Sequence, residues 1–248
     1  MSLPFKFEHD RGKAMGLIVL QTDELVEVEL GKLFLGLGLR VYQNRIASTP
    51  EIHPETLMLM ADSMTGSAAM LPREAEFSAI GYGCTSGATI LGESRVAELI
   101  NAAHPGIPVS NPLSALKAAC RALRIGKIGI VSPYVADVSS ALNAAMESVG
   151  VSVTAFGSFE QAEDKTVARI SPQSTLDALC DVGSGDCDAV FASCTNLRAM
   201  EIIAEAEARL NMPVLCSNQV LGWHMLRLGD INAKPKGYGR LFDAALDG

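Results

Sequence analysis

The chain has 248 residues, a formal net charge of −8, 48% hydrophobic residues and 5% aromatic residues. This composition is typical of a folded globular protein, and the acidic balance argues against a nucleic-acid surface, which needs clustered Lys and Arg. The first apolar run, 14–20, is closed by Asp23 and Glu24 and is too short for a membrane span of about 20 residues or for a convincing signal peptide. We therefore expect a cytoplasmic protein that binds neither membrane nor nucleic acid.

Taken in chain order, short apolar runs alternate with longer amphipathic stretches. The runs are rich in Val and Ile, as buried strands are, and the stretches between them have the length of helices. Asn111 followed by Pro112 predicts the start of one helix, and Gly126 predicts its end. Strands that alternate with helices indicate parallel sheets with right-handed crossovers.

The two halves of the chain carry the same landmarks in the same order. The apolar run at Gly16 recurs at Gly129, and the run at Pro108 recurs at Pro213, which indicates a repeated unit of about 110 residues. We predict an α/β fold of two doubly wound domains related by a pseudo-twofold axis. Each has a four-stranded parallel sheet, and the active site lies in the cleft between them. The predicted limits are 1–111, with 221–248 packing back on this domain, and 112–220.

A cysteine stands at the matched position of each unit. Cys84 lies in the loop 83–87 and Cys194 in the loop 193–197, and each loop follows an apolar run. Ligands of open α/β sheets bind beyond the carboxyl ends of the strands. We therefore expect one cysteine on each wall of a shared cleft.

The residues after each cysteine are typical of helix starts. Thr85, Ser86, Thr195 and Asn196 are all good N-cap residues, so each loop is expected to lead into a helix. The free N–H groups and the positive end of such a helix lower a thiol pKa from about 8.5 toward neutrality. The same N–H groups can hold a substrate carboxylate, which makes these four residues candidate substrate-binding residues.

Two opposed thiols predict acid–base chemistry without a cofactor. One thiolate removes the Cα proton of a small carboxylate, and the other thiol protonates the opposite face. The alternative is nucleophilic: one thiolate adds to an activated double bond, and the adduct rotates and collapses. We expect no metal, because the chain has no C-x-x-C pair and the spacing of Cys180, Cys187 and Cys194 is not that of a zinc site.

The two cysteine motifs also carry a family resemblance. GYGCTSG at 81–87 and SCTNLR at 193–198 resemble the paired motifs of the Asp/Glu/hydantoin racemase superfamily, in the branch of maleate cis-trans isomerases and arylmalonate decarboxylases. Within that branch, SPY at 132–134 and SNQ at 217–219, followed by WH at 223–224, resemble the ectoine-utilisation proteins. The resemblance covers nearly the whole chain.

The resemblance implies roles for three residues. Cys84 matches the cysteine that is the base in racemases and the nucleophile in maleate isomerases, and Cys194 matches the opposing acid/base. Tyr134 matches a tyrosine that touches substrate in maleate isomerases. Decarboxylases of the branch carry glycine at the position of Cys84, so this chain departs from them. The resemblance also implies a homo-oligomer, because oligomers are usual in this family.

Other departures bear on the substrate. Maleate isomerases carry, after the first strand, an asparagine that holds a substrate carboxylate, and this chain has Asp23 there, beside Thr22. A carboxylate repels a dianion and attracts an ammonium or amidinium group, which favours an amino acid or an ectoine-derived compound. Asp23 could equally serve only to cap a helix. Asn196 stands where glutamate racemases carry histidine, which weakens a plain glutamate racemase prediction.

The sequence therefore predicts a cofactor-independent isomerase or racemase of a small carboxylate. Two alternatives stay open. One is a maleate-type cis-trans isomerase with Cys84 as nucleophile, and the other is a non-catalytic protein that binds a small molecule between two α/β lobes.

Overall fold

The computed structural model describes residues 1–7, 12–48 and 54–246. Eight strands were assigned: Ala14–Leu20 (β1), Arg40–Ile46 (β2), Phe77–Gly83 (β3), Val109–Ser110 (β4), Lys127–Tyr134 (β5), Ser152–Gln161 (β6), Ala189–Ala192 (β7) and Val214–Cys216 (β8). The α-helices are Val26–Gly36 (α1), Pro54–Ala69 (α2), Thr85–Leu91 (α3), Glu93–Asn101 (α4), Pro112–Leu123 (α5), Ala136–Glu147 (α6), Asp164–Val167 (α7), Pro172–Gly183 (α8), Ile203–Leu210 (α9) and Ser217–Leu228 (α10). Within these ranges, no helix combines the length and the apolar character that crossing a bilayer requires.

The strands form two four-stranded sheets with the same order. The first is β2-β1-β3-β4 and the second is β6-β5-β7-β8, and all the pairings are parallel. The predicted α/β fold with two four-stranded parallel sheets is confirmed. The shared strand order agrees with the repeat in the sequence, since each half places its first strand second in its sheet.

Two of the central strands are buried along their whole length. Every residue of β1 and of β7 is buried, as expected for parallel strands covered by helices on both faces. The strands β2 and β6 lie at sheet edges and alternate between half-buried and exposed residues. The apolar runs of the sequence therefore mark the centre of each sheet, and the carboxyl ends of the central strands are held in the core.

Helix α5 begins as predicted but ends earlier. Asn111 is its N-cap and accepts a hydrogen bond from Ser114 N–H at 3.0 Å, with Pro112 in the first turn. The helix stops at Leu123 because Arg124 adopts a left-handed conformation, with φ of 56°. The predicted end at Gly126 is therefore wrong by two to three residues, and the chain turns at a non-glycine residue.

Helix α10 packs on the first sheet. A Cβ on Gly81 of β3 would lie 2.6 Å from Met225 Sδ, and a Cβ on Gly222 would lie 2.8 Å from side-chain carbons of Leu30 and Leu33. A side chain at either position would force these methionine or leucine side chains to move. These contacts support the α10 part of our proposal that 221–248 packs back on a domain formed by 1–111. The Arg240 N–H, however, donates to Glu207 of α9 at 3.1 Å, so the chain after α10 also contacts the proposed second domain, 112–220.

Candidate active site

Cys84 and Cys194 line the same small cavity. Cys84 follows β3 and Cys194 follows β7 by two residues, so the two thiols come from corresponding strands of the two sheets. The cavity has a volume of about 10 Å³, about the space that one water molecule needs. Its remaining walls are Leu20, Thr85, Ser86, Tyr134 and Thr195.

Cys84 itself is the N-cap of α3. Its Sγ accepts a hydrogen bond from Gly87 N–H at 3.2 Å. The expectation that Thr85 or Ser86 would cap this helix is therefore wrong, because the thiol takes the first free N–H. The Thr85 hydroxyl instead donates to Ser217 Oγ at 2.8 Å, and it thereby ties the Cys84 loop to the start of α10.

The chain after Cys194 does not form a helix directly. A 3-10 turn, Met200–Ile202, comes first, and α9 follows it. The expectation that Thr195 or Asn196 caps a helix is wrong. The Asn196 side chain is used elsewhere, since it accepts from Glu24 N–H at 2.9 Å and donates to Asp164 O at 3.1 Å. The Cys194 thiol accepts from Asn196 N–H at 3.3 Å.

Tyr134 contacts both Cys194 and a carboxylate that sequence reasoning missed. Its hydroxyl lies 3.2 Å from Cys194 Sγ and donates to Asp164 Oδ1 at 2.8 Å. Asp164 begins α7, just after β6, and is 2% exposed. Since strand ends of a parallel sheet meet at one edge, an acidic residue just after the β6 run was the available signal.

The remaining candidate residues do not line the cavity. Thr22 points toward Ser48, with 3.1 Å between the two hydroxyl oxygens. Asp23 Oδ1 accepts from Leu25 N–H and Val26 N–H, both at 2.8 Å, and so caps the start of α1. Its Oδ2 is buried and has no hydrogen-bond partner among the described residues. The helix-capping alternative for Asp23 thus holds for one oxygen and leaves the other unexplained.

Burial reverses the expected effect on the thiols. Desolvation raises the pKa of Cys84 to about 12, although the Gly87 N–H lowers it. Burial also raises the pKa of Cys194 well above its usual value, and the charge of Asp164 adds to this rise. The prediction of a thiol pKa near neutrality is therefore wrong, because the loss of water outweighs one or two N–H contacts.

The site is negative in character. Burial raises the pKa of Asp23 to about 6, and the charge of Asp164 contributes to this rise. None of the described residues that line the cavity is Lys, Arg or His. Nor does the described part of the chain contain a group of three or more His, Cys, Asp or Glu residues arranged to hold a metal ion.

The buried carboxyl of Asp23 predicts a pH-dependent stability. Its folded-state pKa of about 6 exceeds the unfolded value of 3.8, so the neutral form is favoured on folding. Below about pH 4 the Asp23 carboxyl is neutral in both states and costs the folded state nothing. As the pH rises through about 6, the carboxyl ionises in the folded protein as well, and the free energy of unfolding falls. We expect Asp23→Asn to raise the free energy of unfolding at pH 7.5 by about 2 kcal/mol and to change it little at pH 4.

Urea unfolding at both pH values measures this difference. Asp62→Asn, the same change at an exposed residue of α2, is the matched control and should show a much smaller difference between the two pH values. An equal loss of stability in Asp23→Asn at both pH values would contradict the assignment.

A family model and curated relatives match this chain. The model described as arylmalonate decarboxylase matches residues 15–242. Arylmalonate decarboxylase of Bordetella bronchiseptica is 29% identical over 141 residues, which are 56% of this chain and 59% of that protein. Maleate isomerase of Nocardia farcinica is 25% identical over 150 residues, 60% of each protein. The matched part of the chain thus spans about 60% of the length of these two relatives.

Solved structures share the fold over almost their full length. Maleate isomerase Iso from Pseudomonas putida S16, in a cysteine-to-alanine mutant with maleate, has a TM-score of 0.85 at 20% identity and covers 94% of this chain and 98% of that one. Nocardia farcinica maleate cis-trans isomerase, in a cysteine-to-serine mutant with a covalently bound succinylcysteine intermediate, has a TM-score of 0.84 at 22% identity, covering 93% and 98%.

Proposed function

The chain belongs to the arylmalonate decarboxylase family, and on that premise we propose that it is a cofactor-independent isomerase or racemase of a small carboxylate. The observation that carries this proposal is the shared cavity of Cys84 and Cys194. The walls of that cavity come from both halves of the molecule. Two thiols on opposite sides of one bound carbon can remove a proton from one face and return a proton to the other.

The proposed reaction needs one thiolate and one thiol. The thiolate takes the proton from Cα and becomes a thiol, and the electron pair of the broken C–H bond passes to the carboxylate. The opposing thiol then gives its own proton to the other face and becomes a thiolate. The substrate leaves with inverted configuration, and the two sulfurs have exchanged roles.

The surroundings of the thiols support a substrate with a positive group. Asp23 and Asp164 are 3% and 2% exposed, and the charges of both act on both cysteines. A bound ammonium or amidinium group would offset these carboxylates and lower the pKa of the thiols at the moment of reaction. This charge pattern supports an amino acid or an ectoine-derived compound over a dianion such as maleate.

Substrate binding requires the cavity to widen. A volume of about 10 Å³ is much less than a small carboxylate occupies. The Thr195 hydroxyl reaches Gly83 O at 3.4 Å, and Arg169 forms a two-point ion pair with Glu24, at 2.7 and 3.1 Å. These contacts join the two halves beside the cavity, so their separation is the motion that we expect on binding.

The leading alternative is a maleate-type cis-trans isomerisation with Cys84 as nucleophile. It is favoured by the maleate isomerases among the relatives, one of them solved with a bound succinylcysteine. Decarboxylation is less favoured because, by resemblance, decarboxylases of the branch have glycine at the Cys84 position. Mass spectrometry of the protein after incubation with an unsaturated diacid separates the alternatives. A stable adduct on Cys84 favours the nucleophilic route.

Isotope exchange tests the main proposal. Amino acids, ectoine-related compounds and unsaturated diacids are incubated with the protein in heavy water and followed by NMR. We expect deuterium at Cα of one compound together with inversion. The Cys194→Ser variant should still exchange the Cα proton of one enantiomer while failing to interconvert the pair. Unchanged inversion in either Cys84→Ser or Cys194→Ser would exclude the mechanism.

The non-catalytic alternative predicts saturable binding of a compound without exchange or isomerisation. The thiol pKa values do not separate this alternative from the enzyme, because burial raises both of them in either case. The exchange experiment is therefore the discriminating one.

We further propose a cytoplasmic location and a homo-oligomer. The first is supported by six free cysteines, since a reducing compartment keeps thiols unpaired. The homo-oligomer is supported only by the resemblance to a family in which oligomers are usual.

A further inference from the structure

The hydrogen bonds of Tyr134 distinguish Cys194 from Cys84. The Tyr134 hydroxyl has one proton, which it donates to Asp164 Oδ1 at 2.8 Å. Its oxygen then offers only lone pairs to Cys194 Sγ at 3.2 Å. For that contact to be a hydrogen bond, the thiol must donate, so Cys194 must carry its proton.

Cys84 has the opposite arrangement. Its Sγ accepts from Gly87 N–H, and the nearby Tyr82 side chain lowers its pKa, although the Tyr82 hydroxyl donates to Met60 Sδ and to no carboxylate of the described residues. Cys194 also accepts one N–H, from Asn196, but no hydroxyl proton is left over for it while Asp164 is present. The two thiols are thus matched by the repeat and unequal in their partners.

We propose that Asp164 is a positioning residue: by holding the hydroxyl proton of Tyr134, it keeps Cys194 protonated before turnover, as the first proton donor of the pair. The role of Cys194 as a proton donor rests on the proposed function, whereas the argument that Cys194 carries a proton does not. If Cys194 lost its proton, its thiolate and Asp164 would compete for one hydroxyl hydrogen, and two negative charges would lie on either side of Tyr134. Burial, Cys194 and Asp164 all raise the pKa of Tyr134, so its hydroxyl remains a donor.

The test measures the thiolate fraction of Cys194 without requiring turnover. Methyl methanethiosulfonate is small and uncharged, and its rate of reaction follows the thiolate population. The rate at Cys194 is read by mass spectrometry between pH 7 and 9 and is normalised to Cys120, a buried thiol outside the site. The groups that face Cys194 from neighbouring elements are Tyr134, Asp164, Asp23 and Cys84.

In Asp164→Asn we expect the normalised rate at Cys194 to rise about tenfold, because the thiolate loses a nearby charge and competes with a neutral amide oxygen, a weaker acceptor than a carboxylate, for the Tyr134 proton. In the Tyr134→Phe background the same substitution should have a clearly smaller effect, since only the charge is removed there. Asp188→Asn, on the surface, is the control and should change nothing. Asp164→Ser gives the same direction if Asp164→Asn does not fold.

Two outcomes would overturn the inference. One is an unchanged rate at Cys194 in Asp164→Asn. The other is an equal effect of this substitution with and without the Tyr134 hydroxyl, which would show that Asp164 acts on Cys194 only through its charge. Either result leaves the isotope-exchange test of the proposed function untouched.

A separate cavity carries a second inference. This outer pocket, of about 560 Å³, lies between α1, the segments 168–169 and 198–201, and the C-terminal segment 236–238. Its apolar surface comes from Leu25, Val28, Met200 and Tyr238. Its volume is that of a small-molecule site, whereas the volume of the cysteine cavity is about the space that one water molecule needs.

The charge of the outer pocket is positive although the chain is acidic overall. Arg169 is paired with Glu24 and Arg198 with Glu201. Lys32 and Lys236 also line it and have no ion-pair partner within the described residues. Glu29 and Glu201 offset part of this charge; burial raises the pKa of Glu29 to about 7, and Lys32 acts in the opposite direction.

We infer that the outer pocket is a second binding site, which takes a dicarboxylate with an apolar body between Lys32 and Lys236. Leu25 lines this pocket and its N–H donates to Asp23, so an occupant would contact the outer side of the loop behind the cysteine cavity. Binding there should hold the two halves together and raise the melting temperature.

Calorimetry and thermal unfolding with phthalate as the probe test this site, with benzoate as the singly charged comparison. We expect phthalate to bind with a Kd below about 1 mM and tighter than benzoate. Lys32→Glu with Lys236→Glu should weaken it at least about tenfold. Arg121→Glu with Arg124→Glu, an equal charge change at the end of α5, should not. Loss of binding in Cys84→Ser with Cys194→Ser, or no saturable binding, would overturn the inference.

Discussion

Replacing Cys84 with serine is expected to lower the turnover of the substrate found by isotope exchange by about 10²- to 10⁴-fold. The hydroxyl of serine fills nearly the same space and can still accept from Gly87 N–H. Serine, however, is a far weaker acid than a thiol, so it provides no base at neutral pH. The loss should therefore fall on the proton-transfer step, and binding of the substrate should change much less.

Cys180→Ser is the matched control for this prediction. Cys180 is a free cysteine on α8, away from the shared cavity, and its replacement should leave turnover unchanged. Steady-state kinetics of the two variants, with circular dichroism to check the fold, gives the comparison. Equal activity of Cys84→Ser and the parent protein would remove Cys84 from the mechanism.

Replacing Arg227 with leucine is expected to lower the free energy of unfolding by about 3 kcal/mol. Arg227 is 6% exposed, and its guanidinium donates four hydrogen bonds to backbone carbonyls within 231–244. The acceptors are Ile231 O, Ala233 O, Phe242 O and Ala244 O, the last of which also accepts from Trp223. Leucine removes the Arg227 hydrogen bond from all four carbonyls, and only Ala244 O keeps a side-chain donor, Trp223.

Urea unfolding and limited proteolysis check this expectation together. The variant should be cleaved within 231–244 under conditions where the parent is not, because the segment loses its main attachment to α10. Arg121→Leu is the control, since Arg121 is exposed and should change stability by no more than about 0.5 kcal/mol. A stable, protease-resistant Arg227→Leu protein would show that apolar packing alone holds the C-terminal segment.

Much of the fold was predictable because the relevant signals are local. The alternation of apolar runs with amphipathic stretches predicted the two parallel sheets, and Asn111-Pro112 predicted the start of α5. The end of α5 was misplaced because Arg124 adopts the left-handed conformation that glycine usually takes. Which residue takes that conformation is decided by the packing that follows the helix.

The candidate site was predictable only in part. The repeat placed Cys84 and Cys194 at matching strand ends, and they line one cavity. Asp164 was missed because it has no counterpart among the repeated landmarks, and its contact with Tyr134 joins the ends of β5 and β6. The N-cap prediction failed because a thiol took the role of the first capping group at Cys84, and because Asn196 is bound to Glu24 and Asp164.

The sequence by itself determined the alternating pattern, its repetition and the pair of cysteines at equivalent positions, since these depend on residue order alone. Only the tertiary structure decided how acidic the thiols are, which of them faces a tyrosine and a carboxylate, and how little room separates the two halves. The physical reason is the exclusion of water. The energy of a charge in this site depends on which distant segments cover it, and burial here outweighs the local effect of a helix start.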